Sequence, residues 1–139
     1  MTESVNIRLK ENMSFDVNVD GLKMVIDTAP EFGGNGDGPR PKSLMMVSLA
    51  GCTGMDVVSI LRKMKIQFDY FGVEVKGNIT ETHPKHFDSM HIVFRLKGKN
   101  IPREKVQMAV DLSQEKYCGV SYNFRSSMTL TNEIIIEEE

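Results

Sequence analysis

Residues 43–61 read SLMMVSLAGCTGMDVVSIL, and Asp56 is the only charged residue among them. Apolar and small side chains recur here every three or four positions, through Leu44 and Cys52, which predicts a helix over residues 42–65. A helix that is apolar almost all round is typical of one buried on most sides. We therefore expect it at the centre of the domain or in a dimer core.

Strand patterns lie on both sides of this helix. The first alternating runs include the pair Asp20-Gly21, which suits a tight hairpin turn and indicates an antiparallel meander with one buried face. Because strands and helices are segregated along the chain, the pattern predicts one α+β domain, residues 1–139, with antiparallel sheet. The expected elements are an N-terminal meander over 1–32, a flexible Gly/Pro-rich crossing over 33–41, the cysteine helix over 42–65, a second meander over 71–98, a helix over 102–117 and a terminal strand over 128–137.

Composition narrows the classes of partner. Seventeen Lys and Arg against nineteen Asp and Glu give a net charge of −2, so no basic field attracts nucleic acid. No apolar run approaches the roughly 20 residues of a membrane span, and the N-terminus lacks the basic and apolar segments of a secretory signal. We expect a cytoplasmic protein with neither nucleic acid nor membrane as a partner.

The chain has two cysteines, Cys52 and Cys118, a number that suits a reduced protein whose thiols are either core residues or redox groups. Cys52 lies beyond the first helical turn, and Asp56 follows one turn later, where a carboxylate raises a thiol pKa. Cys118 precedes Gly119 at a helix-ending or helix-starting junction, which suits a resolving thiol. The sequence leaves open whether these thiols react or simply pack.

Two further motifs have weaker interpretations. His83 and His86 would complete four N/S ligands with the cysteines, but zinc sites normally bring their cysteines as a close pair, so no metal is expected. The Gly-rich stretch 34–38 lacks the Lys-Ser/Thr ending of a phosphate-binding loop, so no bound cofactor is expected either.

Three segments together resemble the OsmC/Ohr family. They are Gly38-Pro39-Arg40-Pro41, the helix LAGCTGMDVV over residues 49–58, and Cys118-Gly119-Val120 near the start of the last quarter. The resemblance covers nearly the whole chain and implies an intertwined homodimer, with antiparallel sheets wrapped around two long central helices and active sites at the subunit interface.

The resemblance also implies an activity. Family members with established activity are thiol-dependent peroxidases that reduce organic hydroperoxides, and the expected role of this chain is oxidative stress defence. Cys52 would then be the peroxidatic thiol that becomes a sulfenic acid, and Cys118 the resolving thiol that forms a disulfide with it. A dithiol, in some members a lipoylated protein, would serve as the reductant.

This chain departs from the family pattern at two helper positions. The glutamate expected shortly after the helix-opening proline is replaced, since Pro41-Lys42 is followed by Ser43, and residues 10–15 contain no activating arginine. Candidates to replace them are Arg8, Lys10 and Arg40.

Two alternatives to the peroxidase therefore stay open. One is a non-catalytic module that holds a small apolar ligand in a cleft with methionines such as Met45, Met46 and Met55. The other is a structural dimer with inert buried thiols.

Overall fold

The computed structural model describes residues 1–139, and the chain divides into two units, Met1–Met45 and Met46–Glu139. The first unit contains the strands β1 (Asn6–Glu11), β2 (Ser14–Val19) and β3 (Leu22–Ile26), paired antiparallel in that order. Asp20 and Gly21 both have positive φ, 54° and 75°, as the hairpin between β2 and β3 requires.

The first sheet does not bury a face as the alternating pattern predicts. Every residue of β1 is exposed, and Ile7 and Leu9 keep 51% and 57% of their surface. The buried residues of this unit are Ser14, Val17 and Asp27. Alternation determines which side chains share a face, whereas burial requires a second layer against that face.

Asp27, directly after β3, organises the Gly-rich stretch that the sequence predicts to be flexible. Its carboxylate accepts hydrogen bonds from the N–H groups of Thr28 at 2.7 Å and of Asn35 and Asp37 at 3.1 Å. Burial works to raise the pKa of Asp27, but these donors outweigh it and hold that pKa below its usual value. Gly34 is required here because a Cβ would lie 2.0 Å from the carbonyl oxygen of Thr28.

Most of the long helix α1 (Pro41–Lys63) belongs to the second unit, from Met46 onward. After it come β4 (Tyr70–Ile79), β5 (Phe87–Gly98), α2 (Arg103–Leu112), α3 (Gly119–Arg125) and β6 (Thr129–Glu138). The strand order is β4-β5-β6, with β5 at the centre.

This second sheet is mixed, whereas the sequence predicts antiparallel pairing. β4 pairs antiparallel with β5, but β6 runs parallel to β5, with Ser89 opposite Thr129 and Phe94 opposite Ile134. A parallel neighbour needs a long crossover, and α2 and α3 provide it.

The segment predicted as a single helix over 102–117 is divided. α2 ends at Leu112, and a π-helical turn, Ser113–Tyr117, follows it. Cys118 is then extended, with φ −79° and ψ 104°, before α3, a helix that the sequence analysis does not predict. The 3.6-residue pattern continues through this break, so sequence periodicity does not reveal it.

The core of the second unit lies between α1, α2 and the sheet. Its fully buried members include Leu49, Val57 and Leu61 of α1, with Phe94 of β5 and Val106 of α2. One face of α1 is therefore anchored in a hydrophobic core.

The opposite face of α1 is open, contrary to the expectation of burial on most sides. Val47 and Met55 keep 62% and 76% of their surface. By length and composition alone α1 is apolar enough to cross a membrane, a test that core helices also pass. The interrupting Ser, Gly and Thr residues shorten the apolar run without making it strongly polar.

Candidate functional site

Cys52, Asp56 and Cys118 come together in the second unit. The two sulfur atoms and a carboxylate oxygen all lie within 4.8 Å of one another. Cys52 and Asp56 share a face of α1 because they are four residues apart. Cys118 arrives from the junction between the π-helical turn and α3. The structure thus brings both predicted site cysteines to one place and adds a carboxylate.

Ser113 connects the carboxylate to the second cysteine. Its hydroxyl donates to Asp56 Oδ2 at 2.9 Å, and its carbonyl accepts from the N–H of Cys118 at 2.8 Å. Ser113 is fully buried, whereas Asp56 is partly exposed, so both bonds are shielded from water at the serine. This one residue therefore fixes the orientation of Asp56 and the path of the chain into Cys118.

Backbone N–H groups at the start of α3 reach both sulfur atoms. Ser121 donates its N–H to Cys118 Sγ at 3.3 Å, and the N–H of Val120 makes a hydrogen bond to Cys52. The hydroxyl of Ser121 donates to Gln114 Oε1 at 3.1 Å. The junction thus holds both thiols by hydrogen bonds as well as by packing.

The pKa of the Cys52 thiol is raised. Burial is the main cause, and the neighbouring Cys118 and the negative charge of Asp56 raise this pKa further. The N–H of Val120 opposes them, since it favours the thiolate, but does not cancel them. The sequence-based prediction that Asp56 raises the thiol pKa is confirmed in direction.

The two thiols differ in exposure. Both are free, Cys52 is partly exposed, and Cys118 keeps only 4% of its surface. An incoming molecule therefore meets Cys52 first. Cys118 lies behind it, close enough for a local movement at the junction to bring the sulfurs together.

The other candidate residues lie elsewhere. His83 and His86 are exposed in the loop between β4 and β5, and neither belongs to the cysteine cluster. Arg8, Lys10 and Arg40 all belong to the first unit. The guanidinium of Arg40 donates to Ser43 Oγ there at 3.3 Å.

The sequence predicts that Asp56 raises the thiol pKa, but it predicts no function for Ser113. A single carboxylate in an otherwise apolar helix, one turn from a cysteine, is a signal that a polar partner comes from another element. Nothing in the sequence identifies Ser113 as that partner, because 57 positions separate it from Asp56.

A protein-family model and a protein of known sequence both match most of the chain. The family model described as OsmC-like protein matches residues 34–133. Protein YhfA of Escherichia coli K12 is 32% identical over 101 residues, which cover 72% of this chain and 75% of that protein.

Solved structures share the fold. A hypothetical protein from Aquifex aeolicus VF5 superposes with a TM-score of 0.88 at 26% identity, covering 100% of this chain and 98% of that one. The organic hydroperoxide resistance protein OhrB of Bacillus subtilis gives a TM-score of 0.67 at 21% identity, with 96% and 98% coverage. The family match spans well over half of the chain, and it includes the cysteine helix and the Cys118 junction. The chain belongs to the OsmC-like protein family.

Proposed function

We propose that this protein is a thiol-dependent peroxidase that reduces organic hydroperoxides to alcohols. The observation that carries the proposal is the placement of Cys52 and Cys118, with sulfur atoms within 4.8 Å of each other. A thiol that becomes oxidised needs a second thiol at this range if it is to form an intramolecular disulfide.

The proposed catalytic cycle uses only the Cys52 and Cys118 thiols of the protein, together with the peroxide and an external dithiol. The deprotonated Cys52 sulfur attacks the terminal peroxide oxygen, the O–O bond breaks, and the alcohol leaves after taking a proton, so that Cys52 becomes a sulfenic acid. The Cys118 sulfur then attacks the Cys52 sulfur, and water leaves. An external dithiol, such as a lipoylated protein, returns two electrons and two protons.

The partly exposed Cys52 and the nearly buried Cys118 support these separate roles. Family membership and the name of the OhrB relative support the choice of an organic hydroperoxide as substrate. We expect the enzyme in the cytoplasm, in defence against oxidative stress.

We also propose that the protein works as a homodimer built on the open face of α1. A groove of about 590 Å³ runs along this face, lined by residues that include Gly51, Met55, Val58 and Phe71. Exposed apolar surface of this kind marks an interaction site, and a second copy is the occupant that the family fold implies. Activation of Cys52 would then draw on a cation such as Arg8, Lys10 or Arg40.

A non-catalytic module that binds a small apolar ligand is the second candidate. The raised pKa of Cys52 favours it, because a protonated thiol attacks peroxides poorly. The apolar lining of the groove by Met55 and Phe71 suits such a ligand.

Measuring the turnover of an organic hydroperoxide distinguishes the peroxidase from the non-catalytic binding module. We expect consumption of cumene hydroperoxide by the reduced protein with dihydrolipoamide as reductant, and loss of that consumption in Cys52→Ser. When the dithiol is withheld, Cys118→Ser should consume one equivalent of cumene hydroperoxide per chain and then stop. Consumption no faster than in a protein-free control would favour the binding module.

A further inference from the structure

We propose that Cys52, Asp56 and Cys118 form a binding site for Zn²⁺, in which the two thiolates and one carboxylate oxygen are ligands. The site shares its cysteines with the proposed peroxidase but does not depend on that activity. It is also distinct from the histidine-containing set considered from the sequence, since it uses a carboxylate from α1 in place of His83 and His86.

The distances suit this ion. Tetrahedral zinc sites have Zn–S distances of about 2.3 Å and Zn–O distances of about 2.0–2.2 Å, which place neighbouring ligand atoms roughly 3.5–3.8 Å apart. The three ligand atoms here already lie within 4.8 Å of one another. Binding therefore requires ligand movements of about 1 Å, and a Cβ built on Gly119, next to Cys118, would meet no atom within 4 Å.

The ligands are supported by a second layer of hydrogen bonds. Ser113 donates its hydroxyl to one oxygen of Asp56, and Ser121 donates its N–H to the Cys118 sulfur. Ligating carboxylates and thiolates are normally oriented in this way, which limits the entropy lost when the metal binds. Cys118 and Ser113 are buried, so these supports are held in place without the metal.

The donor types select the metal. Two thiolates exclude Mg²⁺ and Ca²⁺, which prefer oxygen, and favour zinc among the abundant divalent ions. Two thiolates and a carboxylate would carry three negative charges within a few ångströms, and a dication relieves their repulsion. With three protein ligands the fourth tetrahedral position stays open to water.

Binding has a defined stoichiometry of protons. Zn²⁺ displaces one proton from each thiol, so that two protons pass to solvent for each ion bound when both thiols start protonated. No electron moves. Both sulfurs are then tied to the metal, and neither is free to attack a peroxide or to form the disulfide.

The test is calorimetric titration of reduced, metal-free protein with ZnCl₂ at pH 7.5, in two buffers of different ionisation enthalpy. We expect one ion per chain and a net release of protons from the ligands. Cys118→Ser and Asp56→Asn each remove a proposed ligand and should weaken zinc binding by more than roughly 100-fold. Ser113→Ala removes only a hydrogen bond to a ligand and should weaken zinc binding about 10-fold.

The double variant His83→Ala/His86→Ala is the matched control and should bind as the parent does. Circular dichroism of each variant checks its fold, and Asp56→Asn preserves shape even if Cys118→Ser does not fold. The proposal is overturned if the parent takes up no zinc, if both ligand variants bind as tightly as the parent, or if the histidine variant loses binding. Because no peroxide is present, the result is independent of the peroxidase assay.

Discussion

Asp27 illustrates how one side chain can organise a loop that looks unstructured in sequence. Its carboxylate is 2% exposed and is met by N–H groups from both ends of the following loop, at Thr28 and at Asn35 and Asp37. A buried carboxylate is tolerated only with such donors. Part of the Gly-rich stretch is therefore held to Asp27 by hydrogen bonds from Asn35 and Asp37.

The lowered pKa of Asp27 gives a pH-dependent contribution to stability. Since this pKa lies below the value of an unfolded aspartate, 3.8, the charged carboxylate stabilises the fold at neutral pH. That contribution is lost as the pH falls through the folded-state pKa. We expect Asp27→Asn to lower Tm by several degrees at pH 7, and the difference from the parent to shrink as the pH approaches 3.

Thermal unfolding followed by circular dichroism between pH 3 and pH 7 measures this effect. Asp37→Asn is the matched control because it keeps the backbone donor of Asp37 and changes only an exposed side chain. A constant difference in Tm between Asp27→Asn and the parent across this range would show that the charge of Asp27 is not the cause.

Two glycines at the ends of elements, Gly34 and Gly119, differ in the space that a side chain would have. A Cβ on Gly34 would lie 2.0 Å from the Thr28 carbonyl oxygen, whereas a Cβ on Gly119 meets nothing within 4 Å. We expect Gly34→Ala to lose about 1–3 kcal/mol of unfolding free energy, as overpacked sites do. Gly119→Ala should be neutral or stabilising by up to about 1 kcal/mol, since alanine favours helix.

Urea denaturation of both variants checks this pair. Equal losses of unfolding free energy in the two variants would contradict the close approach of the Thr28 carbonyl to Gly34. A large loss in Gly119→Ala alone would mean that the start of α3 packs more tightly than the structure has it.

The elements also show what sequence periodicity can and cannot predict. The apolar spacing around Cys52 predicts α1 to within two residues at each end, because helix formation is local. The parallel pairing of β6 and the π-helical turn at Ser113 depend on how the crossover packs, which no local pattern encodes. Likewise, both cysteines stand out in sequence, but their meeting with Asp56 is a tertiary event.

The open face of α1 exposes large apolar side chains, which a second copy of the chain would cover in the proposed dimer. Met55 keeps 76% of its surface in a groove whose lining is mostly apolar or small, with Arg62 and Lys63 at the end of the helix. We expect the parent protein to elute with twice the mass of one chain in light-scattering chromatography. Met55→Glu should shift it toward a single chain, because moving a carboxylate out of water into an interface carries a desolvation penalty.

Met108→Glu provides the matched control, since Met108 is 52% exposed on α2 and does not line this groove. It should remain a dimer. A parent protein with the mass of one chain at tens of micromolar would contradict the dimer, and so would dissociation caused equally by both substitutions.

The intact mass of the protein after one equivalent of cumene hydroperoxide shows whether Cys52 and Cys118 form the disulfide of the proposed cycle. We expect the parent to lose the mass of two hydrogen atoms, as an intramolecular disulfide requires. In Cys118→Ser, dimedone should trap a sulfenic acid on Cys52, and Cys52→Ser should show no such adduct. An unchanged parent mass, with no adduct in Cys118→Ser, would contradict the peroxidase cycle and leave the binding or structural alternatives.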